Sequence, residues 1–176
     1  MRKVTFGVAN SLDNFIAREN GAVDWLLWTD DVSQFINEFW KTIDTVVMGR
    51  KTYDAAVREG MTSYPGVKNY VVSRTLTAPP DPNVEIISSD PAAFIRALKN
   101  EPGRDICVMG GGELANALFE ADVIDEVGVN IHPVLLGSGI PLFLNMSRQI
   151  DLQLFENRQF RSGCVMLRYR VGRESR

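Results

Sequence analysis

The sequence predicts an α/β fold: a single mixed, mostly parallel sheet with helices on both faces, finished by a C-terminal antiparallel hairpin. Three observations lead there. Apolar strand-like runs alternate with amphipathic segments as far as residue 121, the pattern of parallel strands joined by crossover helices. Two of those runs, at 46–53 and 108–114, reach glycine just where a helix has to begin. The tail carries two β-like runs, 152–160 and 164–171, with Arg161-Ser162-Gly163 between them.

Taken in order, Val4 to Ala9 reads as the first strand, Ser11-Leu12-Asp13-Asn14 as a turn, and Phe15-Ile16-Ala17 as a short extended piece. Residues 18–30 form an irregular loop holding Trp25, Leu27 and Trp28, either a flap over the core or the wall of a pocket. Val32, Phe35, Ile36, Phe39, Trp40 and Ile43 then recur at helical spacing, and Thr29 or Asp30 can cap that helix. Val46-Val47-Met48 is a strand, with a short helix from Thr52. Tyr70 to Ser73 and Val84 to Ile87 are strands separated by a proline-rich loop. Asp90-Pro91 opens a helix that Glu101-Pro102-Gly103 stops. Asp105 to Met109 is a buried strand. Leu114, Ala117, Leu118 and Ala121 mark the next helix, Ile124 to Ile131 a further strand, and His132-Pro133 to Pro141 a loop.

A chain of 176 residues suits one domain, 1–176, with a sizeable core. Hydrophobic residues at 45% and charged residues at 23% are ordinary globular values. The net charge of −3 argues against nucleic acid or an anionic membrane as partner, since both demand a clustered positive surface. Arg2 and Lys3 precede an apolar stretch too short for a signal peptide, and no run reaches transmembrane length, so a cytoplasmic location is expected. Two cysteines and one histidine cannot build a usual Cys/His zinc site, and no metal is expected.

The chemistry concentrates at the glycines. Gly110-Gly111-Gly112-Glu113-Leu114 leaves bare backbone N–H groups where a helix N-terminus carries partial positive charge, a cradle for a diphosphate. With Ala115 it formally fits the dinucleotide fingerprint, but it does not follow the first strand and one helix alone succeeds it, which excludes a Rossmann domain. Gly49-Arg50-Lys51-Thr52 lacks the glycines of a P-loop, yet strand, glycine, basic pair and helix start still suit a phosphate. Ser73-Arg74 ends a neighbouring strand in the same way. Arg50 and Arg74 are placed to bracket a ribose 2′-phosphate, which favours NADPH over NADH. Of the acidic residues, Asp31 lies at the edge of the apolar stripe while Asp30 lies nearly opposite it, so Asp31 is the better substrate-side carboxylate, with Asp13 the second candidate. Trp25 and Phe35 are the expected pocket walls. His132, the single histidine, reads as structural, and neither a Ser-His-Asp hydrolase nor a zinc deaminase signature is present.

These motifs, in this order, resemble the dihydrofolate reductase superfamily. Val46 to Tyr53 is similar to its strand-to-helix NADPH motif, Tyr70 to Arg74 to its second cofactor strand, and Val108 to Leu114 to its glycine turn. Two stretches point to one branch. Ala9 to Ala17 and His132 to Phe143 are similar to the opening and the late loop of the reductase domain of the bifunctional riboflavin-biosynthesis deaminase/reductase. The departures are Asn14 where that branch usually has glycine, and Val23-Asp24-Trp25 where the folate branch has a Pro-Trp loop. Asparagine tolerates the left-handed turn conformation.

The resemblance implies a dihydrofolate reductase-like fold and hydride transfer from NADPH to a C=N or ribosylamino substrate, 5-amino-6-(5-phosphoribosylamino)uracil in the riboflavin branch and dihydrofolate in the other. Gly49, Arg50, Lys51, Thr52, Ser73, Arg74 and Gly110 to Leu114 are then the cofactor residues, with Asp31 or Asp13 catalytic. A stand-alone reductase of another heterocycle and a non-catalytic nucleotide-binding module are the alternatives. A homodimer is expected, because the edge of the C-terminal hairpin needs cover.

Overall fold

Strand after strand in this sequence is apolar on both faces, and the chain buries them by crossing over with helices. The computed structural model describes residues 1–172. Its elements are β1 (Val4–Ser11), β2 (Phe15–Ala17), α1 (Asp30–Lys41), β3 (Ile43–Gly49), α2 (Arg50–Arg58), β4 (Lys68–Val72), β5 (Val84–Ile87), α3 (Pro91–Asn100), β6 (Asp105–Met109), α4 (Gly112–Glu120), β7 (Glu126–His132), β8 (Ile140–Pro141), β9 (Leu152–Gln159) and β10 (Val165–Val171). The main sheet has eight strands in the order β5-β4-β3-β6-β1-β7-β10-β9. The strands from β5 to β7 pair in parallel, and β10 runs antiparallel to both β7 and β9. β2 and β8 form a separate small ribbon.

Val4, Phe6, Val47, Ile106, Val108, Val127 and Val129 face one layer, where they pack on Ile95 and Leu98 of α3 and Leu114, Leu118 and Phe119 of α4. On the other face Ile43, Val46, Met48 and Cys107 meet Tyr53 of α2 and Phe39 and Trp40 of α1. The N-terminal half of α1 packs its Val32, Phe35 and Ile36 on Phe160, Cys164 and Met166 of the hairpin region. The helix lies shallowly: Val32 alone is buried, and Phe35, Ile36, Phe39 and Trp40 are half-buried.

Several boundaries move from the sequence reading. β1 runs on to Ser11, because its pairing with β7 continues to Ser11 opposite His132. α1 ends at Lys41. Ile43, in phase with the helical stripe, is the fully buried first residue of β3. α2 starts at Arg50 rather than Thr52. β7 begins at Glu126, since Asp125 is used beforehand to accept the Val4 N–H at 2.9 Å. Thr29 is the backbone cap of α1 but accepts no cap hydrogen bond. Its hydroxyl donates to Asp31, whose carboxylate takes the Val32 N–H. Asn14 adopts φ +64°, the left-handed turn for which asparagine substitutes for glycine. Among the described residues no helix is long and apolar enough to cross a membrane.

Candidate functional site

The chain builds outward from β1 to β3, β4 and β5, then returns to insert β6 between β3 and β1. That reversal opens a crevice at the carboxyl ends of β3, β6 and β1, where ligands of open α/β sheets bind. Both glycine motifs end there. β3 passes through Gly49, the backbone cap of α2, and β6 passes through Gly110 to Gly111, the backbone cap of α4. Neither helix has a side-chain cap, whereas α3, remote from the crevice, is capped by Asp90 accepting from the Ala92 N–H. The first-turn N–H groups of α2 and α4 therefore keep their donor capacity and their share of the helix dipole for an anion.

The two turns are locked together. Gly110 has φ +133°, and a Cβ there would stand 2.5 Å from the Thr52 hydroxyl. That hydroxyl accepts the Gly111 N–H at 3.2 Å. Gly112 is buried under Leu144, which a Cβ would meet at 2.8 Å. Leu114 packs beside Gly49, and Ile16 of β2 covers Gly111. Lys51 and Glu113, both largely exposed, pair at 2.8 Å across the helix starts. Arg50 is held along its own helix by Asp54 at 2.7 Å. The Ser73 hydroxyl accepts the N–H groups of Thr75 and Leu76, which shapes the loop that presents exposed Arg74. Every residue read from the sequence as a cofactor contact stands at the carboxyl ends of β3, β4 and β6 or in the helix starts that follow. No local pattern marks Thr52 as the residue that binds one turn to the other.

The substrate-side residues divide. Asp13 accepts from the Ser11 hydroxyl at 2.6 Å and from the backbone N–H groups of Leu136 and Gly137 at 3.1 and 2.8 Å. The Ser11 hydrogen bond, helped by the two backbone donors, lowers its pKa, and the carboxylate clamps the late loop to the early turn. Asp31 accepts from the Arg161 N–H at 2.9 Å and from the Thr29 hydroxyl at 2.6 Å; these two bonds, the first the larger, lower its pKa. It sits in an open hollow of about 310 Å³ formed by Thr29, Asp30, Asp31 and Arg161. Both oxygens of each carboxylate are already engaged. Phe35, half-buried, meets Phe160 edge-on at 5.7 Å beneath the Arg158 guanidinium, a contact that holds α1 to the hairpin.

Trp25 does face the strand ends. It is buried, edge-on to His132 at 5.3 Å. His132 is buried at the end of β7, where its Nδ1 accepts the Leu27 N–H at 3.2 Å and lies 3.4 Å from Cys164 Sγ. Burial pushes the imidazole pKa down. The loop from Arg18 to Thr29 is thus a flap pinned to the sheet by His132. The sequence named the flap but not its pin, because a lone histidine before a proline carries no partner signal.

The profile of the RibD C-terminal domain family matches residues 2–166. The uncharacterized protein YwjB of Bacillus subtilis is 36% identical over 170 residues, covering 96% of this chain and 97% of its own length. The crystal structure of a protein from Shewanella sp. PV-4, named for riboflavin biosynthesis, superposes with a TM-score of 0.82 at 26% identity, over 98% of this chain and 100% of that one. The deaminase/5-amino-6-(5-phosphoribosylamino)uracil reductase of Thermotoga maritima shares the fold with a TM-score of 0.71 at 18% identity, over 97% of this chain and 57% of that longer one.

Proposed function

The chain belongs to the RibD C-terminal domain family, and we propose that it is an NADPH-dependent oxidoreductase of the riboflavin-biosynthesis reductase type. The substrate class is a C=N or ribosylamino heterocycle like 5-amino-6-(5-phosphoribosylamino)uracil. One observation carries the reading: two adjacent helix N-termini, both without side-chain caps, meet at the strand-order reversal, joined by the Thr52–Gly111 hydrogen bond. A diphosphate satisfies both at once. When bound, NADPH supplies the hydride.

The chain's own residues supply position. The N–H groups that open α2 and α4 would hold the diphosphate, with Lys51 and Thr52 in the same helix start. Arg50 and Arg74 would supply the charge for a ribose 2′-phosphate, and Ser73 shapes the loop that carries Arg74. Gly110 to Leu114 allow the backbone to approach closely. The flap held over the strand ends by His132 would exclude water from the reacting atoms. Asp31 and Asp13 act by fixing the start of α1 and the late loop around the substrate; their hydrogen bonds keep both ionised. Reduction of dihydrofolate is the second reading, favoured by the Asp31 carboxylate beside an open hollow at the start of α1. The exposed β9 edge suits a homodimer, which the mass in solution tests.

The test is a fluorescence titration with NADPH and NADH, on the wild type and on Arg74→Ala. We expect a clear preference for NADPH, which Arg74→Ala weakens about tenfold, equivalent to ~1.4 kcal/mol, with NADH little changed. Equal weakening of both cofactors removes the role of Arg74. No binding of either by folded protein removes the reductase reading.

A further inference from the structure

Where the flap meets the end of β7, on the α1 side of the sheet, two buried nitrogen-bearing side chains lack full hydrogen bonding. The Trp25 Nε1 has no partner, and neither does one end of the Asn130 carboxamide. Both residues are more than nine-tenths buried. Leaving such groups unpaired is costly, so each one calls for an explanation.

The identity of the free end of Asn130 follows from His132. The Leu27 N–H can only donate, so the Nδ1 it reaches is unprotonated and the proton of the neutral ring sits on Nε2. Nε2 lies 3.3 Å from the nitrogen end of the Asn130 carboxamide, which would set two N–H groups against each other. Oxygen and nitrogen of an amide exchange places without moving a heavy-atom position. Turned over, the carboxamide accepts from Nε2–H, and its NH2 takes the buried, unpartnered place. Two donors are therefore unmatched at this end of the sheet, Asn130 Nδ2 on β7 and Trp25 Nε1 within the flap.

The sheet beside Asn130 carries little side-chain bulk. Asn130 pairs in register with Ala9, and Gly128 with Gly7, so the same face carries three residues with no more than a methyl group beside it. A Cβ at Gly128 would meet no atom closer than 3.9 Å, and one at Gly7 would meet only Cys107 Sγ, at 3.5 Å. β7 lies two strands from β6, about 10 Å from the glycine turn. β1, with Gly7 and Ala9 on this face, is the strand between that turn and Asn130.

We infer that Asn130 and Trp25 form the substrate subsite and that it takes a planar heterocycle through a ring carbonyl, with His132 orienting Asn130 and pinning the flap. This rests on the reductase reading. Two donors and no free acceptor select a carbonyl-bearing ring over the same ring bearing amino groups.

A matched pair of probes tests this: 6-aminouracil and 2,4,6-triaminopyrimidine, the same ring with two carbonyls exchanged for amino groups. Affinities are measured by calorimetry with and without NADP⁺, alongside NADPH titration of each variant. Wild type is expected to bind 6-aminouracil at least tenfold more tightly. Asn130→Asp keeps the oxygen facing His132 and turns the free NH2 into an oxygen, so it should abolish that preference. Trp25→Phe removes only the N–H and should weaken 6-aminouracil about fivefold. NADPH affinity should be unchanged in both. Equal affinity of wild type for the two probes, or full preference retained by Asn130→Asp, overturns the subsite. NADPH binding without probe discrimination overturns the subsite and leaves the reductase reading standing. Probe discrimination without NADPH binding supports the subsite and removes that reading.

Discussion

At the amino ends of the parallel strands, charged side chains are paired with one another; at the carboxyl ends, backbone donors are left over. Arg2 is buried at the amino edge, where its guanidinium reaches Asp44, the Thr45 hydroxyl at 2.6 Å, and the carbonyls of Leu98 and Arg104. Nearby, buried Lys99 pairs with Asp125 at 2.6 Å. Glu126 lies between Lys3 at 2.9 Å and Arg168 at 3.0 Å. The carboxyl edge instead presents glycine turns and helices without side-chain caps. Low-dielectric pairing of this kind fixes strand ends in place but offers a ligand nothing. Uncapped helix starts lower stability slightly and leave a binding surface. One edge holds the sheet so that the other can be left incomplete.

The largest expected effect comes from breaking the closed edge. Arg2→Ala strands two backbone carbonyls and a carboxylate. Asp44 is 28% exposed and keeps the Arg104 N–H, so the loss should fall at the lower end for a broken buried pair, about 3 kcal/mol. Urea unfolding measures it. NADPH affinity of the folded fraction should stay within twofold. A large fall in cofactor affinity without loss of stability would dissolve the division of labour between the two edges.

Next comes a substitution on the open edge. Gly110→Ala places a Cβ 2.5 Å from the Thr52 hydroxyl at a φ that side chains rarely adopt. Strain of this kind costs about 2 kcal/mol. Because the same shift displaces the Thr52–Gly111 bond, NADPH affinity should fall more than tenfold in protein that still folds. Cofactor affinity equal to wild type would show that the α4 turn holds no phosphate.

The difference between the edges also explains what the sequence disclosed. The glycine turns were legible because a glycine at a strand end marks the hand-over to a helix locally; Gly49, Gly110 and Gly111 announce their turns within a few residues. The closed edge was not legible, since Arg2 finds Asp44 and Arg104 far along the chain, and no local pattern encodes such a pair. Asp13 and Asp31 were found as residues, but their engagement was hidden. Their partners are the backbone of Leu136, Gly137 and Arg161, which any residue type provides. Phe35 kept its helical phase, yet phase alone cannot tell a core neighbour from a ligand.

The smallest effect concerns the flap, which belongs to the open edge but is fastened by a titratable group. His132 is held neutral by burial, with its Nδ1 as acceptor; the titratable group touching the ring is the Cys164 thiol. The unfolded chain protonates this residue near pH 6.5, whereas the folded chain does so only at lower pH. Between those values the unfolded state holds more protons, so His132 contributes stability that is present above about pH 6.5 and lost as pH falls toward its folded value. Urea midpoints should decline from about pH 6.5 to 5, before the ordinary carboxylates titrate. His132→Asn should flatten that decline while lowering stability at pH 8. Protonation puts a hydrogen on Nδ1 and turns it against the Leu27 N–H, so the protection factor of the Leu27 amide, its exchange relative to the free peptide at the same pH, should fall over the same interval while that of Gly111, at the glycine turn, stays unchanged. If Gly111 loses protection together with Leu27, the flap and the glycine turns open as one unit, and the open edge is a single cooperative element rather than a rigid cradle beside a pinned lid.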